Sequence, residues 1–126
     1  MYRTALRLQP DLTEAHLSLG RLAENPADAE YHFKAALFYR PGDARAHYEY
    51  GLALAGEDRY REAAGEFQTA ARLKPTLAEA HASLGDMLAM QNQPAQAIPH
   101  YRRALSLRPD LESARTGLEM VTRQKR

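Results

Sequence analysis

The 126-residue sequence predicts an all-α fold, an array of stacked antiparallel helix pairs, from three recurring features. Pro10, Pro41, Pro75 and Pro109 are spaced 31, 34 and 34 residues apart, and each closes a similar phrase, as in Ala36-Leu37-Phe38-Tyr39-Arg40-Pro41 and Ala104-Leu105-Ser106-Leu107-Arg108-Pro109. Each of the first three is followed by Ala15-His16, Ala46-His47 or Ala80-His81, and then by Leu19-Gly20, Tyr50-Gly51 or Leu84-Gly85. Ala29, Ala63 and Ala97 come next, each four residues before an aromatic: Phe33, Phe67 and Tyr101. A fixed period along a whole chain is the mark of repeat architecture, in which one unit cannot bury its apolar face alone.

The elements follow in order. Helices are expected over 2–9, 12–24, 27–39, 44–56, 60–73, 78–91, 94–107 and 111–124. The prolines stop the second helix of each pair and push the preceding residue out of the α region. Arg40, Lys74 and Arg108 suit the negative end of the helix dipole. Asp11, Asp43, Thr76 and Asp110 are the expected N-caps, with Glu14 and Glu79 at capping-box spacing from Asp11 and Thr76. Gly20, Gly51 and Gly85 sit mid-helix, where glycine costs about 1 kcal/mol relative to alanine. A close helix crossing, shared with Ala29, Ala63 and Ala97, is the expected reason. The first full unit is three residues short between Gly20 and Pro26, so its first helix should end early, near Glu24-Asn25. Pro99 should kink or loosen the helix opened by Pro94. The chain divides as one domain over 1–126: a half repeat at 1–10, a short repeat at 11–41, repeats at 42–75 and 76–109, and a capping helix at 110–126 with Glu119 in the glycine position.

This pattern resembles the tetratricopeptide repeat (TPR), whose signature is an aromatic, Leu-Gly, a second aromatic, Ala, an aromatic four residues later and a closing Pro with period 34. The departures are His for the first aromatic and Ala23, Leu54 or Leu88 for the second. The resemblance implies a right-handed superhelix whose first helices line a concave groove that takes a peptide or protein segment. By position, the implied partner-binding residues are Leu17, Arg21, Arg45, Tyr48, Glu49, Leu52, Ser83, Asp86 and Met90. Tyr48 should point away from the core and act as an aromatic anchor, with Leu52 and Met90 as apolar neighbours. Relatives that grip acidic chaperone tails use Lys, Asn and Arg here. This sequence has Leu17 and Arg21, then Glu49, then Glu79 and Ser83, so no carboxylate clamp is implied and the expected partner is neutral or basic.

Composition and motif content narrow the function further. Seventeen Lys and Arg against 16 Asp and Glu leave a net charge of +1, with no global field to draw nucleic acid or an anionic membrane. The absence of Cys excludes disulfides and thiol chemistry. No apolar run approaches the roughly 18–20 residues of a membrane span, and the first residues lack the apolar stretch of a signal peptide. The compartment is thereby left open, with the cytoplasm favoured. His16, His47 and His81 occupy one repeat position and His32 and His100 another. Equivalent positions lie a repeat apart, too far to share a metal ion. The first three should half-fill the pocket of the missing aromatic and the other two should face outward. No nucleophile elbow, phosphate loop or zinc motif occurs. No cofactor, metal or catalytic residue is therefore expected, and the chain reads as a protein-binding scaffold and not as an enzyme. The alternative is a structural module that self-associates through its opening half repeat, or the repeat segment of a larger protein whose catalytic domain lies elsewhere.

Overall fold

The computed structural model describes residues 12–125, and these form helices joined by short turns with no strand among them. They are α1 (Leu12–Leu22), α2 (Pro26–Tyr39), α3 (Ala44–Gly56), α4 (Tyr60–Leu73), α5 (Ala78–Met90), α6 (Pro94–Leu107) and α7 (Glu112–Lys125). The expected helix over 2–9 and the Asp11 cap lie outside the described residues. Short connections make consecutive helices antiparallel neighbours. Accordingly α1 packs on α2, α3 on α4 and α5 on α6, while α3, α5 and α7 also pack on the helix before them. First helices touch along the array, α1 on α3 and α5 on α7. The core runs through these layers as clusters around Leu17, Phe33, Tyr50, Leu54 and Phe67, and around Ile98, Tyr101, Ala114 and Val121.

The prolines do more than stop helices. The amide of Asp43 donates to the Arg40 carbonyl, that of Leu77 to Lys74 and that of Leu111 to Arg108. Each proline thus sits second in a four-residue turn, where its fixed φ is pre-set. This register puts the N-cap at Asp43 in one repeat, where its carboxylate accepts from the amides of Arg45 and Ala46. In the next repeat the cap position falls on Leu77, with no side-chain bond, and Thr76 sits one place too early. Asp110 is likewise in the turn before α7. The Thr76–Glu79 capping box therefore does not form, and Glu79 pairs with Arg108 instead. A side-chain cap that the sequence pattern does not announce forms at Asn25, whose Oδ1 accepts from the Asp28 amide at 2.8 Å while its Nδ2 donates to the Asp28 carboxylate at 3.0 Å.

The three missing residues have a specific structural cost. After α3 and α5 the chain turns through left-handed residues, Asp58 (φ 62) and Asn92 (φ 64). There the amides of Arg59 and Gln93 reach back to the carbonyls of Leu54 and Leu88, the bonding of a Schellman cap. The short repeat lacks the residues for this turn, and α1 ends at Leu22, earlier than expected. Pro99 does not break α6, which is continuous from Pro94 to Leu107.

The glycines are packing devices, and the nearest atoms they meet belong to the aromatic ring. A Cβ on Gly20 would meet the Phe33 ring at 2.9 Å, on Gly51 the Phe67 ring at 2.7 Å, and on Gly85 the Tyr101 ring at 2.9 Å. The last helix also sets a glycine against a ring: Gly117, two residues before the expected position, lies against Tyr101 more closely still.

Candidate partner-binding groove

Two pockets recur along the first helices. The first, about 410 Å³, lies between α1 and α3 over Phe33. It brings together Arg21, Arg45, Tyr48, Glu49 and Leu52, joined by Gly20 and Ala53. The second, about 260 Å³, lies between α5 and α7 over Tyr101 and is lined by Asp86, Ala89, Met90, Gly117, Met120 and Val121. They are repeat equivalents. Arg21 and Asp86 each follow the mid-helix glycine, Phe33 matches Tyr101, Leu52 matches Met120, and Glu49 matches Gly117. That register is legible in the sequence, and Gly117, Met120 and Val121 escape it only when α7 is taken as a plain cap.

Two expected groove residues, Leu17 and Ser83, line neither pocket. Leu17 is 1% exposed and sits in the core. Its position is one after the histidine, and its equivalent Ala82 is buried as well. Tyr48 holds this position in the second repeat. It is too large to be covered fully, so it is half-buried, with its ring centroid 5.6 Å from that of Phe67 and one side on the first pocket. Burial pushes its phenol up, and a hydrogen bond with Ser83 pulls it partly back. Ser83 therefore supports Tyr48 from α5.

The electrostatics differ from the sequence-based expectation. Glu49 is only 7% exposed and is enclosed by two guanidinium groups. Arg21 Nη1 is 2.5 Å from its Oε1, and Arg45 Nε is 3.3 Å from its Oε2. Two arginines against one carboxylate leave the first pocket one positive charge. Glu79, the other expected repeller of carboxylates, is paired with Arg108. In the second pocket Asp86 accepts from the Tyr101 hydroxyl at 2.5 Å. Burial pushes its carboxyl up, against the pull of that hydrogen bond.

Within a repeat the two histidine positions meet. His16 Nδ1 is 3.0 Å from His32 Nδ1. In the same place His47 Nδ1 is 2.8 Å from Glu66 Oε1, and His47 Nε2 is 2.8 Å from the Pro41 carbonyl. His81 Nε2 repeats the bond, to the Pro75 carbonyl at 3.1 Å. Burial, and next the charge of His81, push the His100 imidazole down. His32 thus lies between helices and not on an outer face. Among the described residues no group of three or more His, Cys, Asp or Glu is placed to hold a metal ion, and no helix is long and apolar enough to cross a membrane.

This geometry is that of a helical repeat array with paired groove pockets. Two family models, both described as tetratricopeptide repeat, match residues 23–78 and 78–111, together most of the chain. The chain belongs to the tetratricopeptide repeat family. No curated protein matches it. Among solved structures it is similar to MamA, at 25% identity and a TM-score of 0.84, covering 98% of this chain and 74% of that one. It is similar in fold to the TPR2B domain of yeast Sti1, solved as a complex with pHsp70, at 16% identity and a TM-score of 0.83, covering 90% of this chain and 98% of that one. It is also similar to a Thermobaculum terrenum O-GlcNAc transferase mutant, at 28% identity and a TM-score of 0.79, covering 87% of this chain but 22% of that one.

Proposed function

We propose that this chain is a protein-interaction scaffold that binds a peptide or protein segment along its first helices, with an apolar side chain of the partner seated in the pocket between α1 and α3. The observation that carries this reading is the pocket itself. Tyr48 and Leu52 form its apolar wall, and Arg21, Glu49 and Arg45 form a satisfied polar rim. An aromatic anchor within a ring of polar groups is what a binding hot spot looks like. Because Glu49 already has its counter-ions, the pocket selects by apolar shape and not for a basic residue. The array similar to this chain in Sti1 was solved with a bound partner, which supports the same use of the fold here. A second reading, a repeat segment serving a larger protein, is favoured by the likeness to a short part of an O-GlcNAc transferase.

The test is affinity for a partner captured by pull-down. Tyr48→Ala should weaken binding by about 2 kcal/mol, roughly thirtyfold. Leu52→Ala, which leaves the Tyr48–Phe67 contact intact, should weaken it in the same direction. Gln68→Ala, at an exposed position on α4, should have no effect. Equal affinities for all three, with helical content unchanged by circular dichroism, would place the binding surface elsewhere.

A further inference from the structure

The two repeat-equivalent pockets carry opposite charge, and the second has an unneutralised acid. In the first pocket Arg21 meets Glu49 across the gap between first helices. In the second, Asp86 takes the place of Arg21, and Gly117 takes the place of Glu49. Among the described residues no counter-ion arrives from the facing helix. Among the described residues the one polar partner of Asp86 is the Tyr101 hydroxyl, and no Lys, Arg or His pairs with it. A carboxylate has acceptor capacity for about four hydrogen bonds, so most of Asp86 is left for something outside the fold. Gly117 cannot be filled by a side chain, because a Cβ there would run into the Tyr101 ring. The pocket therefore stays open. Its rim is apolar and accessible, with Met90 56% and Met120 54% exposed.

We propose that this pocket receives a lysine or arginine side chain of a partner protein, its aliphatic stem between Met90 and Met120 and its charged head on Asp86. Long cationic side chains bury their methylene stems on apolar surface while keeping the head paired. Unbranched methionines adapt to such stems. A charge-assisted bond to a partly buried carboxylate is about twice as strong as a neutral one. A cation also relieves the cost of burying Asp86, which its hydrogen bond with Tyr101 offsets only in part. The proposal rests on the groove reading for the identity of its partner as a protein, but the pocket can be tested without that partner.

The probes are N-acetyl-lysine N-methylamide and its neutral counterpart N-acetyl-norleucine N-methylamide, titrated into protein labelled at its methionine methyls. The lysine probe should shift the Met90 and Met120 signals and bind at least fivefold tighter than norleucine. That advantage should shrink as salt rises. Asp86→Asn, which keeps an acceptor for Tyr101, should abolish it. Met120→Lys, at an exposed site that supplies an internal cation, should abolish it too. A preference under twofold, or one unchanged in both variants, overturns the proposal. Either result is independent of Tyr48→Ala, so the groove reading and this pocket stand or fall separately.

Discussion

Among single residues, glycine carries opposite roles in neighbouring helices. Gly51 is mid-helix because Phe67, which is fully buried, occupies the space a side chain would need. Gly65, in the middle of α4, has nothing within 4 Å of where a methyl group would stand and is there at a propensity cost alone. Gly51→Leu should therefore destabilise by about 1–3 kcal/mol through overpacking. Gly65→Ala should stabilise by about 0.5–1 kcal/mol by reducing backbone freedom in the unfolded chain. Thermal melts of the two variants should move in opposite directions. A shared direction would mean that ring contact is not what sets these glycines apart.

Among the elements, the helix starts are unequal. α2 begins with a side-chain cap at Asn25 and Pro26 in its first turn, whereas the cap position of α5, Leu77, supplies none. Asn25→Ala should cost about 1 kcal/mol, the usual loss for a capping side chain. Thr76→Ala should be close to neutral, since that hydroxyl caps nothing. Denaturant midpoints for the pair would check this. The contrast matters for the short repeat, where α1 has lost its terminal turn and the Asn25 cap holds the entry into α2 without a Schellman cap before it.

Across the array, charged side chains stitch one repeat to the next. Glu30 of α2 accepts from the Tyr50 hydroxyl of α3 at 2.9 Å, lies 3.1 Å from Lys34 Nζ, and takes Arg59 Nη1 at 3.3 Å from the turn before α4. The Lys34, Tyr50 and Arg59 bonds hold its carboxyl down, from 4.5 to about 2. A depressed folded-state value means the stabilisation is present above pH 4.5 and is lost as pH falls toward 2, because the unfolded chain takes up the proton first. Glu30→Gln should lower stability at neutral pH and flatten its decline across that window. Unfolding midpoints measured from pH 5 to 2 would show it, and parallel curves for both proteins would remove Glu30 from the account of acid sensitivity.

The helices, their order and the family are legible in the sequence alone, because these rest on local chemistry repeated at a fixed period. The closing prolines, the Leu-Gly pairs and the Ala-to-aromatic spacing each report on neighbours a few residues away or one repeat away. Register also locates most of the first pocket, since it places Arg21, Arg45, Tyr48, Glu49 and Leu52 on one face. What those residues do is settled by tertiary contact. Arg21 reaches Glu49 across 28 positions of sequence, and Arg108 reaches Glu79 across 29. Periodicity says which face a residue occupies, but not which long side chain on the next helix will meet it. For the same reason Leu17 has the register of a surface residue yet is buried in the core, and His32 has an outward register yet faces His16. A buried charge or an open pocket depends on what stands opposite, and what stands opposite Asp86 is a glycine because the Tyr101 ring leaves room for nothing larger.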